Sequence, residues 1–272
     1  MDALVYAVLG SLDYLGERKK VILGRINAEM ARHLVYAGEV SSPEKPAAFA
    51  RSLEKLLVRN GYVPAGHLRI EASRMNASFP DLFGVLKPGT RRREGTSHDV
   101  EGEEVEWVLY EMVLYGMTKA LDDQLGAQAQ LVLERVGTLM LDYLVRLGEI
   151  KPSDDLSLYL QNVVGYFIKA GYTRGFQFEM EGAPPDTWVS RYESAPYFAK
   201  VLKRLRNEGS ALFSCPLCLT GQSIWISRGW KFGEVLGLRI SPGDKVTARS
   251  RIYPPGERFT EEDAKRFARM RA

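Results

Sequence analysis

The sequence predicts a helix-rich α+β protein organised by an internal duplication, and three observations carry that prediction. Residues 13–71 align with residues 123–181 without a gap at an offset of 110 positions. Within each copy, apolar residues recur at the three- and four-residue spacing of amphipathic helices. A short alternating stretch then closes each copy as a strand would.

The alignment places Asp13, Leu15 and Gly16 on Asp123, Leu125 and Gly126, Met30 and Leu34 on Met140 and Leu144, and Gly61-Tyr62 on Gly171-Tyr172. It gives 13 identities in 59 positions, against about three or four expected from composition. Each unit reads as three helices followed by a strand. One helix ends near Leu15-Gly16. A second turns Val21, Ile22, Ile26, Met30 and Leu34 to one side and stops at Gly38. Ser41-Ser42-Pro43-Glu44 supplies the cap, proline and early acid of a third helix, whose buried face is Phe49, Leu53, Leu56 and Leu57 and whose end is Gly61. His67–Glu71 alternates, and Gln177–Glu181 matches it.

The first copy, residues 1–72, therefore reads as a truncated and mostly helical repeat. Residues 73–106 are rich in Gly, Pro and charge and read as a linker or loop, with Arg91-Arg92-Arg93 a solvated basic run. The second copy continues to the C-terminus, so that 107–272 forms the more complete domain. After its strand come a Pro-rich turn, a helix over Tyr197–Asn207, a strand over Ala211–Ser214 and a helix from Leu217 to Leu236. Strands within Gly237–Tyr253 follow around Ser241-Pro242-Gly243-Asp244, completing a small antiparallel sheet. A charged helix over Thr260–Met270 ends the chain.

Composition narrows the class. The 272 residues are 45% hydrophobic and 26% charged, as in an ordinary globular protein and unlike a disordered, collagenous or disulfide-bonded chain. No run approaches the roughly 20 apolar residues of a membrane span, and the first residues carry acids where a secretory signal would carry Lys or Arg, so a cytoplasmic location is expected. With 37 basic and 34 acidic residues the net charge of +3 does not support nucleic acid as a partner. The basic stretch Lys265–Arg271 is the one place where salt-dependent DNA binding could be sought. Asn and Gln total 11, a bias of the kind seen in thermophiles.

Chemistry-bearing residues are few. Cys215 and Cys218, as Cys-Pro-Leu-Cys, have the spacing of a buried structural pair, of half a zinc site, or of a redox dithiol at a helix start. Zinc needs four ligands, and His33, His67 and His98 all lie in the first half, so no metal is expected. The aromatic residues Tyr166, Phe167, Tyr172, Phe176 and Phe178, with Trp225, Trp230 and Phe232 among Gly221, Ser223, Ser227 and Gly229, either pack a core or line a pocket for a flat apolar molecule. The acid pairs Asp122-Asp123, Asp154-Asp155, Glu103-Glu104 and Glu261-Glu262 mostly sit at helix starts or in linkers, where the helix dipole favours acids. No nucleophile-elbow, phosphate-loop, dinucleotide or zinc-protease motif is present, so an enzyme of a familiar kind is not expected. Arg25 and Arg135 are expected to pair with Asp13 and Asp123 or with Glu39 and Glu149.

The order of elements over residues 127–259 resembles the 4-vinyl-reductase-like small-molecule-binding domain, whose α/β fold is shared by vesicle-tethering subunits of the TRAPP complex. The stretches that carry the resemblance are LVLERVGTLMLDYLVRLGEI, LYLQNVVGYFIKAGYTRGFQFEMEG, FSCPLCLTGQSIWISRGWKFGEVLG and VTARSRIYPPGERF. The resemblance implies an apolar pocket, and from the tethering subunits a pocket-facing Cys able to carry an acyl chain. Where many such domains have a zinc-binding Glu and two Cys, this chain has Thr247, Ser250 and Arg258, so that zinc site is not expected.

The reading is a prokaryotic binding or sensor module, expected as a homodimer, holding a small hydrophobic molecule against Tyr172, Phe176, Phe178, Cys215, Cys218, Trp225 and Trp230. Occupancy would act by shifting packing. An oligomeric scaffold using the same apolar surface, or a thiol or metal site at Cys215 and Cys218, are the alternatives.

Overall fold

A computed structural model describes residues 1–42, 44–62, 82–86, 100–182, 185–210 and 212–255. The strand expected at 67–71, the Arg91–Arg93 run, His98 and the helix expected at 260–270 lie outside them. The elements are α1 (Asp2–Leu12), α2 (Arg18–Tyr36), α3 (Pro46–Arg59), α4 (Leu82–Val85), α5 (Val100–Leu125), α6 (Ala129–Arg146), α7 (Leu156–Lys169), β1 (Gly175–Gly182), β2 (Pro185–Glu193), α8 (Pro196–Asn207), α9 (Pro216–Ile226), β3 (Lys231–Ser241) and β4 (Lys245–Tyr253). The protein is a helix-rich α+β structure. Contacts divide it into Met1–Gln124 and Leu125–Ala272, and α5 begins inside the stretch read from sequence as a connection.

The duplication is visible in the backbone. Shifting α3 by 110 residues gives the bounds of α7, and α2 so shifted falls within one residue of α6 at its start. Each pair ends in the same way. At Gly38 and Gly148, with φ of +77° and +73°, the glycine N–H donates to the carbonyl of Val35 or Val145, and the next N–H donates to that of Leu34 or Leu144. Gly61 and Gly171 repeat this closure at Val58 and Leu57, and at Ile168 and Phe167. Only glycine takes that left-handed turn without strain. The buried stripes match as well: Ile22, Ile26, Met30 and Leu34 answer Val132, Val136, Met140 and Leu144. Val21, expected on the buried face, is 64% exposed, and so is its counterpart Leu131 at 57%.

In the first unit α2 lies against α5. A Cβ on Gly116 would sit 3.0 Å from the carbonyl oxygen of Ile26. Arg25 reaches Asp123 at 3.2 Å and also Glu29 at 3.1 Å. Arg25 therefore takes Asp123 from the following repeat, while Asp13 pairs with Lys19 and Glu39 with Arg59. His33 and Glu111 approach to 3.7 Å with both side chains buried.

The second unit is a four-stranded antiparallel sheet, in order β1-β2-β4-β3, covered on one face by helices. Period-two alternation builds it. Phe176, Phe178 and Met180 of β1 pair with Tyr192, Ser190 and Trp188 of β2, and these with Val246, Ala248 and Ser250 of β4. The opposite face carries a charged ladder in which Arg191 meets Glu179 at 2.6 Å, Arg249 meets Glu181, and Arg251 meets Asp186 at 3.3 Å. One face apolar and the other charged fixes the register, since a one-residue slip would exchange them.

Three expectations need correction. The helix expected from Leu217 to Leu236 ends at Ile226, because Gly229 turns left-handed at φ +89° and returns the chain as β3. The strand expected over Ala211–Ser214 is irregular at Leu212–Ser214. The stretch read as a Pro-rich turn contains β2, a central strand.

Helix α9 is buried from Pro216 to Ile224 and therefore cannot choose one face to bury; α6 and α7 both lie on it. A Cβ on Gly137 would come within 2.2 Å of the Leu219 carbonyl oxygen and 2.8 Å of Ser223 Oγ. Gly137→Ala is expected to cost about 1–3 kcal/mol by forcing these helices apart, read as a fall of several degrees in the melting temperature. Burial raises the Glu134 carboxyl on α6 to about 7. A carboxyl whose folded pKa lies above its unfolded value stabilises the fold less as pH rises, so its contribution is full below about 4.5 and gone above about 7. Glu134→Gln should flatten the decline in melting temperature across that interval.

Candidate thiol and aromatic site

The proline at the first position of α9 fixes a helical φ, and the residue before it is thereby held extended. That residue is Cys215, with φ −61° and ψ 117°, and its sulfur takes the place of a capping oxygen by accepting from the Cys218 N–H at 3.5 Å. The helix start is enclosed, so its orphan donors need such a partner. Cys215 is 0% exposed and Cys218 is 1% exposed. Both are free thiols.

Two tyrosines complete the cluster. Tyr192 of β2 has its hydroxyl 2.7 Å from Cys215 Sγ and 2.6 Å from Cys218 Sγ, and the Tyr172 hydroxyl lies 3.4 Å from Cys215 Sγ. A phenol has one proton to give. Tyr192 gives it to Cys215, which leaves the Cys218 S–H as the proton shared between the Tyr192 oxygen and Cys215 Sγ. Cys215 Sγ thus collects donors from Tyr192, Tyr172 and the Cys218 backbone. Burial alone would raise its pKa, but these hydrogen bonds, with that of Cys218, bring it below the ordinary thiol value. Burial and the neighbouring Cys215 sulfur hold Cys218 well above that value. The two sulfurs are differentiated, one toward thiolate and one toward thiol.

The residues expected to line one pocket fall into two groups. Tyr172, Phe176, Cys215 and Cys218 gather around Tyr192, whose ring meets Phe176 edge-on at 4.9 Å. Phe178, Trp225 and Trp230 gather instead around Trp188. Phe178 stacks on it at 4.8 Å and 3°, Trp225 meets it edge-on at 6.0 Å, and Trp230 in turn meets Trp225 edge-on at 5.1 Å. Phe232 and Ile252 close this second cluster. The indole N–H groups of Trp188 and Trp225 are buried with no acceptor among the described residues. Trp225 is on α9, Trp230 in the turn and Phe232 on β3, so the three do not share a helix. Tyr192 and Trp188, the two residues that organise these clusters, were missed with β2; the alternation Trp188, Ser190, Tyr192 was the signal that could have found them.

A groove of about 550 Å³ runs along the β1 edge of the sheet, where α7 crosses it, lined by Val164, Gly165, Ile168, Phe176, Phe178 and Arg191 among others. A second of about 590 Å³ lies at the β3 edge, with Lys203, Arg206 and Asn207 facing Val235, Leu238 and Ile240. The cations of this second groove are engaged within the fold, Lys203 with Asp244 at 3.2 Å and Arg206 with the Ser210 carbonyl at 3.3 Å. Among the described residues no group of three or more His, Cys, Asp or Glu could hold a metal ion, and no helix is long and apolar enough to cross a membrane.

No family model matches the sequence, so the resemblance to 4-vinyl-reductase-like domains finds no support there. No curated protein matches either. A solved structure of a variant of Tt H-NOX is similar over 63% of this chain and 82% of its own, at 11% identity and a TM-score of 0.33. At that score the likeness carries no argument about fold or ligand.

Tyr192→Phe removes a donor from Cys215 and an acceptor from Cys218. It should raise the Cys215 pKa, read from the ultraviolet absorbance of the thiolate, and cost about 1–3 kcal/mol in denaturant unfolding.

Proposed function

We propose that the second unit is a binding module for a small hydrophobic or amphiphilic molecule, held in the groove between α7 and β1. The observation that carries this reading is the groove's apolar floor and wall, Phe176, Phe178, Val164 and Ile168, with Ile168 left 39% exposed. Exposed aliphatic and aromatic surface in a concave site is the usual lining of a small-molecule pocket. The Arg191–Glu179 pair at the rim supplies polar groups able to orient a ligand's head. Gly165 leaves its part of the groove wall open, since a Cβ there would meet nothing within 4 Å.

The test uses that glycine. Gly165→Phe adds a large side chain at a position where a Cβ meets nothing within 4 Å and exchanges glycine for a better helix former, so the fold should keep its melting temperature or gain slightly. Binding of the apolar dye anilinonaphthalene sulfonate should fall by about tenfold or more relative to the unaltered chain. Unchanged dye binding in a folded variant would refute the site. Loss of self-association instead of dye binding would favour an oligomer interface on the same surface.

A further inference from the structure

We propose that Cys215 and Cys218 are a redox-active dithiol that a hydroperoxide closes to an intramolecular disulfide. This stands apart from the ligand reading, because it concerns the sulfurs under α9 and not the groove. Three observations carry it. Both sulfurs lie within hydrogen-bond distance of one phenol oxygen, at 2.7 and 2.6 Å from Tyr192, which confines them to a small shared volume. They are three residues apart across a helix start, the arrangement in which a thiol pair can bridge with little backbone movement. Their roles are already divided, since Cys215 Sγ accepts hydrogen bonds as an attacking thiolate would and Cys218 holds a proton shared with Tyr192.

Burial selects the oxidant. With exposures of 0% and 1% neither sulfur can meet a bulky disulfide, whereas hydrogen peroxide is close to water in size and can enter through small openings of the fold. The irregular segment Leu212–Ser214, itself buried, leads directly into Cys215, so a small oxidant reaches the sulfurs through local opening of the fold.

The Cys215 thiolate attacks one peroxide oxygen, the O–O bond breaks, and the departing hydroxide takes a proton to become water, leaving a Cys215 sulfenic acid. Cys218, giving up its proton, attacks Cys215 Sγ; the S–O bond breaks and its hydroxide leaves with that proton as a second water. Two thiols are oxidised by two electrons in all, and one peroxide is reduced to two waters.

The reduced full-length chain is treated with hydrogen peroxide near neutral pH, denatured in the presence of an alkylating reagent, and weighed intact. The expected product has lost about 2 mass units, carries no alkyl group, runs as a monomer without reductant, and regains two alkylatable thiols after dithiothreitol. Cys218→Ser should instead stop at a Cys215 sulfenic acid, about 16 mass units heavier and trapped by dimedone. Cys215→Ser should react about tenfold more slowly, because Cys218 stays protonated. Two thiols still alkylatable in the treated wild-type chain, or oxidation beyond the sulfenic stage with no disulfide, would overturn the proposal whether or not either variant folds.

Discussion

Gly137 allows α6 to lie against the backbone of α9 at a separation that any side chain would forbid, and the second unit is arranged around that contact. Helix α9 gives no face to water from Pro216 to Ile224. It must be enclosed, and enclosure at close range needs a residue with no Cβ at the crossing. Once α6 and α7 hold α9 over the sheet, the helix start is sealed as well. A sealed start cannot leave its N–H groups to water, which is why the capping atom, its sulfur neighbour and two phenols form one connected set. The chemistry of the cysteines is thus a consequence of how tightly the helix is packed.

The first unit solves the same problem with different material. There α5 supplies the long apolar helix, buried at Leu109, Met112, Val113, Leu114, Tyr115 and Met117, and Gly116 supplies the close approach to α2. In each case the repeated helix that follows the left-handed glycine, α2 or α6, packs on an apolar helix, α5 or α9, that lies outside its own copy of the repeat. The duplicated segment alone would expose an apolar stripe, so each copy depends on a covering helix from elsewhere in the chain.

Local features were legible in the sequence because local physics sets them. The glycines at 38, 61, 148 and 171 announced helix ends through their lack of a side chain, and the three- and four-residue spacing announced the buried stripes. Two strands were not legible. The segment Trp230 to Leu236 has an apolar spacing that also suits a helix, and only Gly229 marks the break. β2 is preceded by prolines and gains its central place from pairing with β1 and β4, a relation no single stretch encodes. Half of the candidate site went with it. Cys215, Cys218 and Tyr172 could be named from spacing and repeat position, but Tyr192 and Trp188 acquire their roles from register across the sheet.

The two copies have also diverged at the positions that make the groove. At the places of Gln161, Val164 and Gly165 the first copy has Arg51, Glu54 and Lys55, and Phe176 and Phe178 stand against Gly66 and Leu68. Long charged side chains on the helix would fill or screen such a cleft. Shared ancestry of the repeat explains the helix bounds and the buried stripes, which both copies keep. It does not explain the apolar, side-chain-poor face of α7, which only the second copy has. That face is the wall of the groove, whose floor, Phe176, rests edge-on against the Tyr192 ring whose hydroxyl serves both cysteines.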